Sequence, residues 1–99
     1  MIEFLKSANI WEMIRLCEDS GISCEWYIFG SVAAGESSPS DIDVLLISDH
    51  DKDLDRARDV IKDYLLLAPI HLIAMTNQEE SVLSFIESVS AVNVRVLSS

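Results

Sequence analysis

The sequence predicts a small α/β domain: a mixed sheet of about four strands with helices packed on it, in the order α-β-α-β-α-β-α-β across residues 1–99. Apolar residues at three- and four-residue steps alternate with short aromatic or β-branched runs along the whole chain. One of these runs, DIDVLLI, starts polar and becomes wholly apolar, as a strand covered on both faces does. The 99 residues, 49% hydrophobic and 24% charged, are enough for one core and one domain.

Each element follows from local pattern. Residues 2–19 read as a helix, because Phe4, Ala8, Trp11 and Ile14, with Leu5, Ile10, Met13, Leu16 and Cys17, recur at helical spacing. Gly21, after Asp19 and Ser20, suits a left-handed helix stop. Residues 24–29 are aromatic and β-branched, hence a strand. Residues 31–34 suit a short helical turn between Gly30 and Gly35, and residues 36–40 a loop with Pro39 as its punctuation. Residues 41–47 are the doubly covered strand, followed by an acidic turn over residues 48–53. Residues 54–67 form a helix with Leu54, Ala57, Val60, Ile61, Tyr64 and Leu65 on its apolar face. Asp55, Arg56, Asp59, Lys62 and Asp63 make its solvated face. Residues 69–75 are a third strand, with Pro69 tolerated at its first position. Thr76 and Glu79 have the T-x-x-E form of a capping box. That box opens a helix to about residue 88, with Val82, Leu83, Phe85, Ile86 and Val89 expected to face inward. Residues 91–97 alternate as an edge strand does.

Charge narrows the ligand. The net charge is −10, with seven Lys and Arg against seventeen Asp and Glu. Affinity for DNA or RNA comes mostly from Lys and Arg at phosphates, and no basic stripe is present, so strong direct nucleic-acid binding is not expected. A small nucleotide carried by a metal ion fits better, because the metal supplies the positive charge. Cys17 and Cys24 lack zinc-site spacing and read as reduced thiols of a cytoplasmic protein. The apolar N-terminal stretch is interrupted by acids, which argues against a signal peptide or a membrane span.

The residues with chemical potential lie between positions 30 and 43. Gly30 and Ser31 follow a strand and open a helical turn, where unpaired backbone N–H groups can receive an anion. Gly30 leaves room for close approach of a phosphate. Asp41 and Asp43 stand two apart at a strand start, which puts both carboxylates on one face. Two adjacent carboxylates repel unless a cation lies between them, and Mg²⁺ takes one or two carboxylates together with substrate phosphates. Read alone, such a pair is more often an exposed strand end bearing two acids. The acidic run from Asp49 to Asp55 is not a calcium loop: counted from Asp49, positions six and twelve are Leu54 and Val60. Of Trp11, Trp26 and Tyr27, at least two are expected to be packing residues rather than base-stacking groups.

Taken together, Gly30-Ser31, Gly35 and Ser40-Asp41-Ile42-Asp43 resemble the GS…G…SDID signature of the minimal nucleotidyltransferases of the DNA polymerase beta superfamily. The resemblance implies a nucleotidyltransferase fold. It also implies metal-dependent transfer of a nucleotidyl group from a nucleoside triphosphate to a hydroxyl, with release of pyrophosphate. Carried over by position, Gly30, Ser31 and Ser40 contact the nucleotide's phosphates, and Asp41 and Asp43 hold Mg²⁺ (or Mn²⁺).

The chain departs from the pattern at the next core strand, where the family places a third carboxylate and this sequence has His71. His71 reads either as a catalytic base or as a half-buried histidine bonded to a neighbour such as one of the two aspartates. The resembling proteins often add a helical domain for the second substrate or act with a separate all-helical partner of the HEPN type. Such a partner in trans, or a homodimer, is therefore expected. A second reading stands beside the enzyme: a catalytically impaired module, antitoxin-like or regulatory, that keeps the fold and works through its partner.

Overall fold

The computed structural model describes residues 10–30, 42–67 and 69–98. The expected helix start over residues 2–9, the short turn over 31–34 and the loop over 36–40 lie outside the described residues. So do Ser31, Gly35, Ser40 and Asp41.

The described elements are α1 (Ile10–Asp19), β1 (Glu25–Phe29), β2 (Ile42–Ser48), α2 (Asp51–Leu67), β3 (Ile70–Thr76), α3 (Asn77–Leu83), α4 (Phe85–Val89), β4 (Val92–Asn93) and α5 (Val94–Ser98). The strands make one mixed sheet in the order β3-β2-β1-β4. β2 pairs antiparallel with β1, from Glu25↔Ile47 to Phe29↔Asp43. It pairs parallel with β3, from Ile42↔Ile70 to Ser48↔Thr76. α2 is the crossover that a parallel pair requires. The Ile42 N–H donates to the Pro69 carbonyl at 2.9 Å, so Pro69 extends the ladder through its oxygen although it has no donor.

Two unequal cores form on the two faces of the sheet. Ile28, Val44 and Leu46 meet Ile10, Met13 and Cys17 of α1 and Leu54, Ala57 and Ile61 of α2. The opposite face is covered more thinly: Leu45, Ile47 and Met75 pack with Tyr27, Phe29, Ile73 and the half-buried Phe85 and Ile86 of α4. Alternation along the strands puts Phe29, Asp43 and His71 on this second face. Every residue of β2 is buried except Asp43. Trp26 is buried in the first core and Trp11 packs against it, while Tyr27 packs in the second, as their packing role requires.

Several boundaries differ from the sequence reading, each for a local reason. Gly21 takes the left-handed conformation expected of it, with φ of 74°. α2 starts at Asp51 rather than Leu54, because the N–H groups of Asp53 and Leu54 bond back to the His50 carbonyl at 3.1 and 3.4 Å. The acidic residues expected in a turn are thus the first turn of the helix, where they suit its dipole.

The helix expected to reach residue 88 breaks at Ser84, a left-handed residue with φ of 50° whose N–H bonds the Glu80 carbonyl. The break turns Phe85 and Ile86 toward the sheet and leaves Val82 and Leu83 outward, 79% and 61% exposed. The expectation that Val82 and Leu83 face inward is therefore corrected. The edge strand expected over residues 91–97 shrinks to Val92–Asn93. There the Asn93 side chain accepts from the Arg95 N–H at 2.9 Å, turning the chain into α5 and dropping Val94 into the first core.

Candidate functional site

β1 ends at Gly30 with φ of 71°, a conformation that glycine adopts without steric cost. The antiparallel register sets the end of β1 beside the start of β2, with Phe29 opposite Asp43. A side chain at position 30 has no room: an ideal Cβ there would overlap Oδ2 of Asp43 and lie 3.2 Å from its Cγ. The glycine corner and the Asp43 carboxylate are thus in contact. This juxtaposition is what the sequence reading required of Gly30 and Asp43.

The parallel register brings in a third residue. His71 pairs with Asp43 across β2 and β3, and its Nδ1 lies 3.3 Å from Oδ1 of Asp43. The side chain of Asp43 is 23% exposed and that of His71 is 67% exposed. His71 is therefore an exposed residue beside the aspartate, not the half-buried one expected; among the described residues the helical side chains that pack in the core on this face are Phe85 and Ile86 of α4. Its bond to an aspartate matches one of the two alternatives read from the sequence. Gly30, Asp43 and His71 come together; Ser31, Ser40 and Asp41 lie outside the described residues.

One neighbour escaped the sequence reading. Phe29 stands beside Asp43 on the same face and meets Phe85 edge to face, with ring centroids 5.3 Å apart. It gives the carboxylate an apolar wall. The signal was available, since Phe29 and Asp43 flank the corner and share strand parity, but its partner Phe85 depends on the break at Ser84.

Asp43 and His71 offer one carboxylate and one imidazole, and no group of three His, Cys, Asp or Glu side chains converges among the described residues. Two donors bound at about 2.1 Å and at right angles around one ion lie about 3 Å apart. The observed 3.3 Å suits adjacent positions on a single cation. The pair fits such an ion as part of a site.

Burial pushes the Cys17 thiol up to about 11, with the nearby Cys24 adding to the shift. Burial also raises Cys24. Both thiols are free. Among the described residues no helix is long and apolar enough to cross a membrane.

The described strands thus form a mixed four-stranded sheet with a glycine corner against a carboxylate of β2. The family model of the nucleotidyltransferase domain matches residues 14–94, which covers most of the chain. The protein belongs to the nucleotidyltransferase domain family. No curated protein and no solved structure matches it.

Proposed function

We propose that the protein is a metal-dependent nucleotidyltransferase that moves a nucleotidyl group from a nucleoside triphosphate to a hydroxyl acceptor. The observation that carries this reading is the contact between Gly30 and the Asp43 carboxylate, at the strand end where the family signature lies. In the proposed reaction the acceptor oxygen forms a bond to the α-phosphorus, the bond from that phosphorus to the bridging oxygen breaks, and pyrophosphate leaves. The hydroxyl proton passes to solvent.

Gly30 and Ser31, with Ser40, would receive the phosphates, since a bare backbone corner lets an anion approach N–H donors closely. Asp43, with Asp41, would hold Mg²⁺ or Mn²⁺. A divalent ion there neutralises charge on the attacking and leaving oxygens. His71, with Nδ1 3.3 Å from Oδ1 of Asp43, would help fix the direction of that carboxylate. Phe29, the partner of Asp43 across β1 and β2, stands beside that carboxylate. The compartment proposed is the cytoplasm, where two unpaired thiols persist.

A second reading is favoured by one specific feature. Val82 and Leu83 line a shallow groove of about 350 Å³ with Gln78 and Glu79. Such a surface suits a partner module, antitoxin-like or regulatory, that docks an all-helical protein or a second copy of itself.

A radiolabelled-nucleotide transfer screen on cell extract separates the two. Label transferred by the wild type and lost with Asp43→Asn supports the enzyme. No transfer, together with a stable complex that Leu83→Ser disrupts, supports the module.

A further inference from the structure

We propose that the outer edge of β3 is an interface between copies of this chain, pairing antiparallel with β3 of a second copy so that two sheets become one. This goes beyond the nucleotidyltransferase reading and does not depend on it.

Among the described residues the order β3-β2-β1-β4 puts β3 at one edge of the sheet and β4 at the other, and the edges differ. β4 is two residues long and runs directly into α5, so it offers almost nothing to pair with. Proteins commonly blunt an edge by such shortness, or by charges and prolines along it. β3 has none of these devices: it is seven residues long, and its sequence, IHLIAMT, holds no Asp, Glu, Lys, Arg or Pro. The ladder fixes where its backbone points. The Ile42 N–H bonds the Pro69 carbonyl, and in a parallel pair alternate residues turn both backbone groups to the partner strand. His71, Ile73 and Met75 therefore direct theirs at β2, while Ile70, Leu72 and Ala74 direct theirs outward, where no described strand lies. The Thr76 N–H is taken by Glu79, which closes that end of the edge. Ile70, Leu72, Ile73 and Ala74 are only half-buried, whereas Ile42, Val44, Leu45 and Leu46 beside them on β2 are buried.

A second copy is the occupant that fits this edge. β3 is self-complementary about Leu72. With Leu72 opposite the partner's Leu72, Ile70 stands opposite the partner's Ala74, and each outward N–H meets an outward C=O across a twofold axis. Charge points to the same strip. A chain of charge −10 repels its own copies, and they approach with least repulsion along a strand without Asp or Glu. A single strand pair buries less than the roughly 1,200 Å² at which specific, stable interfaces begin, so the dimer is a reversible one. In this register His71 lies opposite the partner's Ile73 on the same face of the joined sheet, which sets an apolar residue of the second copy beside the candidate site.

The test is sedimentation velocity on the full chain over a concentration series from about 10 μM to about 1 mM, with amide exchange followed by NMR on the same samples. The expected result is a reversible monomer–dimer equilibrium that tightens severalfold as added salt screens the like charges. At the high concentration the amides of Ile70, Leu72 and Ala74 exchange about tenfold more slowly than at the low one, while those of His71, Ile73 and Met75 are protected at both. Ala74→Pro removes an outward N–H at an edge position where proline is tolerated, and weakens the dimer about tenfold with the thermal midpoint little changed. The exchange pattern of the wild type keeps the test valid if that variant fails to fold. A wild type that stays monomeric at about 1 mM overturns the proposal. So does a dimer in which the exchange of Ile70, Leu72 and Ala74 is indifferent to concentration, or one that Leu83→Ser disrupts and Ala74→Pro does not. Each of these results leaves the nucleotidyltransferase reading standing.

Discussion

At the scale of the residue, Asp43 is gripped from two sides. Gly30 touches one carboxylate oxygen and His71 approaches the other. Gly30→Ala is expected to fail on two counts: φ of 71° is strained for alanine, and the new methyl overlaps the carboxylate. The change should cost about 1–3 kcal/mol in urea unfolding and displace Asp43. A variant as stable as the wild type would show that the corner relaxes freely.

Cys17 offers a test of the core that is independent of the site. Its thiol titrates near 11 in the folded chain against an ordinary value of 9.0. The folded state thus keeps its proton where the unfolded state loses it. The associated stability is fully present below pH 9 and is lost as pH rises through about 11. The slope is about 1.4 kcal/mol per pH unit in that window. Denaturation midpoints measured between pH 8 and 11 should fall for the wild type and fall less for Cys17→Ala, after allowance for its lower starting value.

At the scale of the element, α3 shows how local chemistry fixes a boundary. Thr76 accepts from the Glu79 N–H at 3.1 Å, and the Glu79 side chain returns to the Thr76 N–H at 2.9 Å. Thr76→Ala should cost about 1 kcal/mol, read as a shift in the urea midpoint with unchanged slope. A shift within error would mean that α3 is held by something other than its cap.

The same region marks how far the sequence could be read. The capping box, the left-handed Gly21 and the doubly covered β2 were legible because each is written in a few adjacent residues. The break at Ser84 was not. It depends on a serine in a conformation that glycine usually takes and on a Glu80 side chain that bonds the Ile86 N–H at 3.0 Å. Apolar spacing across residues 82–89 is continuous, so periodicity alone pointed every apolar residue inward. The short β4 was hidden similarly, since the Asn93 turn into α5 interrupts an alternation that Val94 and Val96 continue in the sequence.

The site was legible in part for the same reason. Gly30 and Asp43 are close in sequence and joined by one antiparallel register. His71 reaches them only through the crossover made by α2.

At the scale of the molecule, net charge bears on the small ligand that the proposed function calls for. A chain of charge −10 repels polyphosphate strands, while under the proposed function one triphosphate would meet the strand-end carboxylate with its charge partly offset by a divalent cation. A fluorescent single-stranded oligonucleotide should therefore show no binding at physiological salt, with or without Mn²⁺. Retention at micromolar protein would contradict this balance of charge.

The most direct test of the central claim is calorimetric titration of the wild type and of Asp43→Asn with each Mn²⁺–nucleoside triphosphate. The account predicts saturable binding of at least one nucleotide by the wild type, and its loss in an Asp43→Asn protein whose thermal midpoint is unchanged. Equal binding by both proteins, or none by the wild type at millimolar nucleotide, would contradict it.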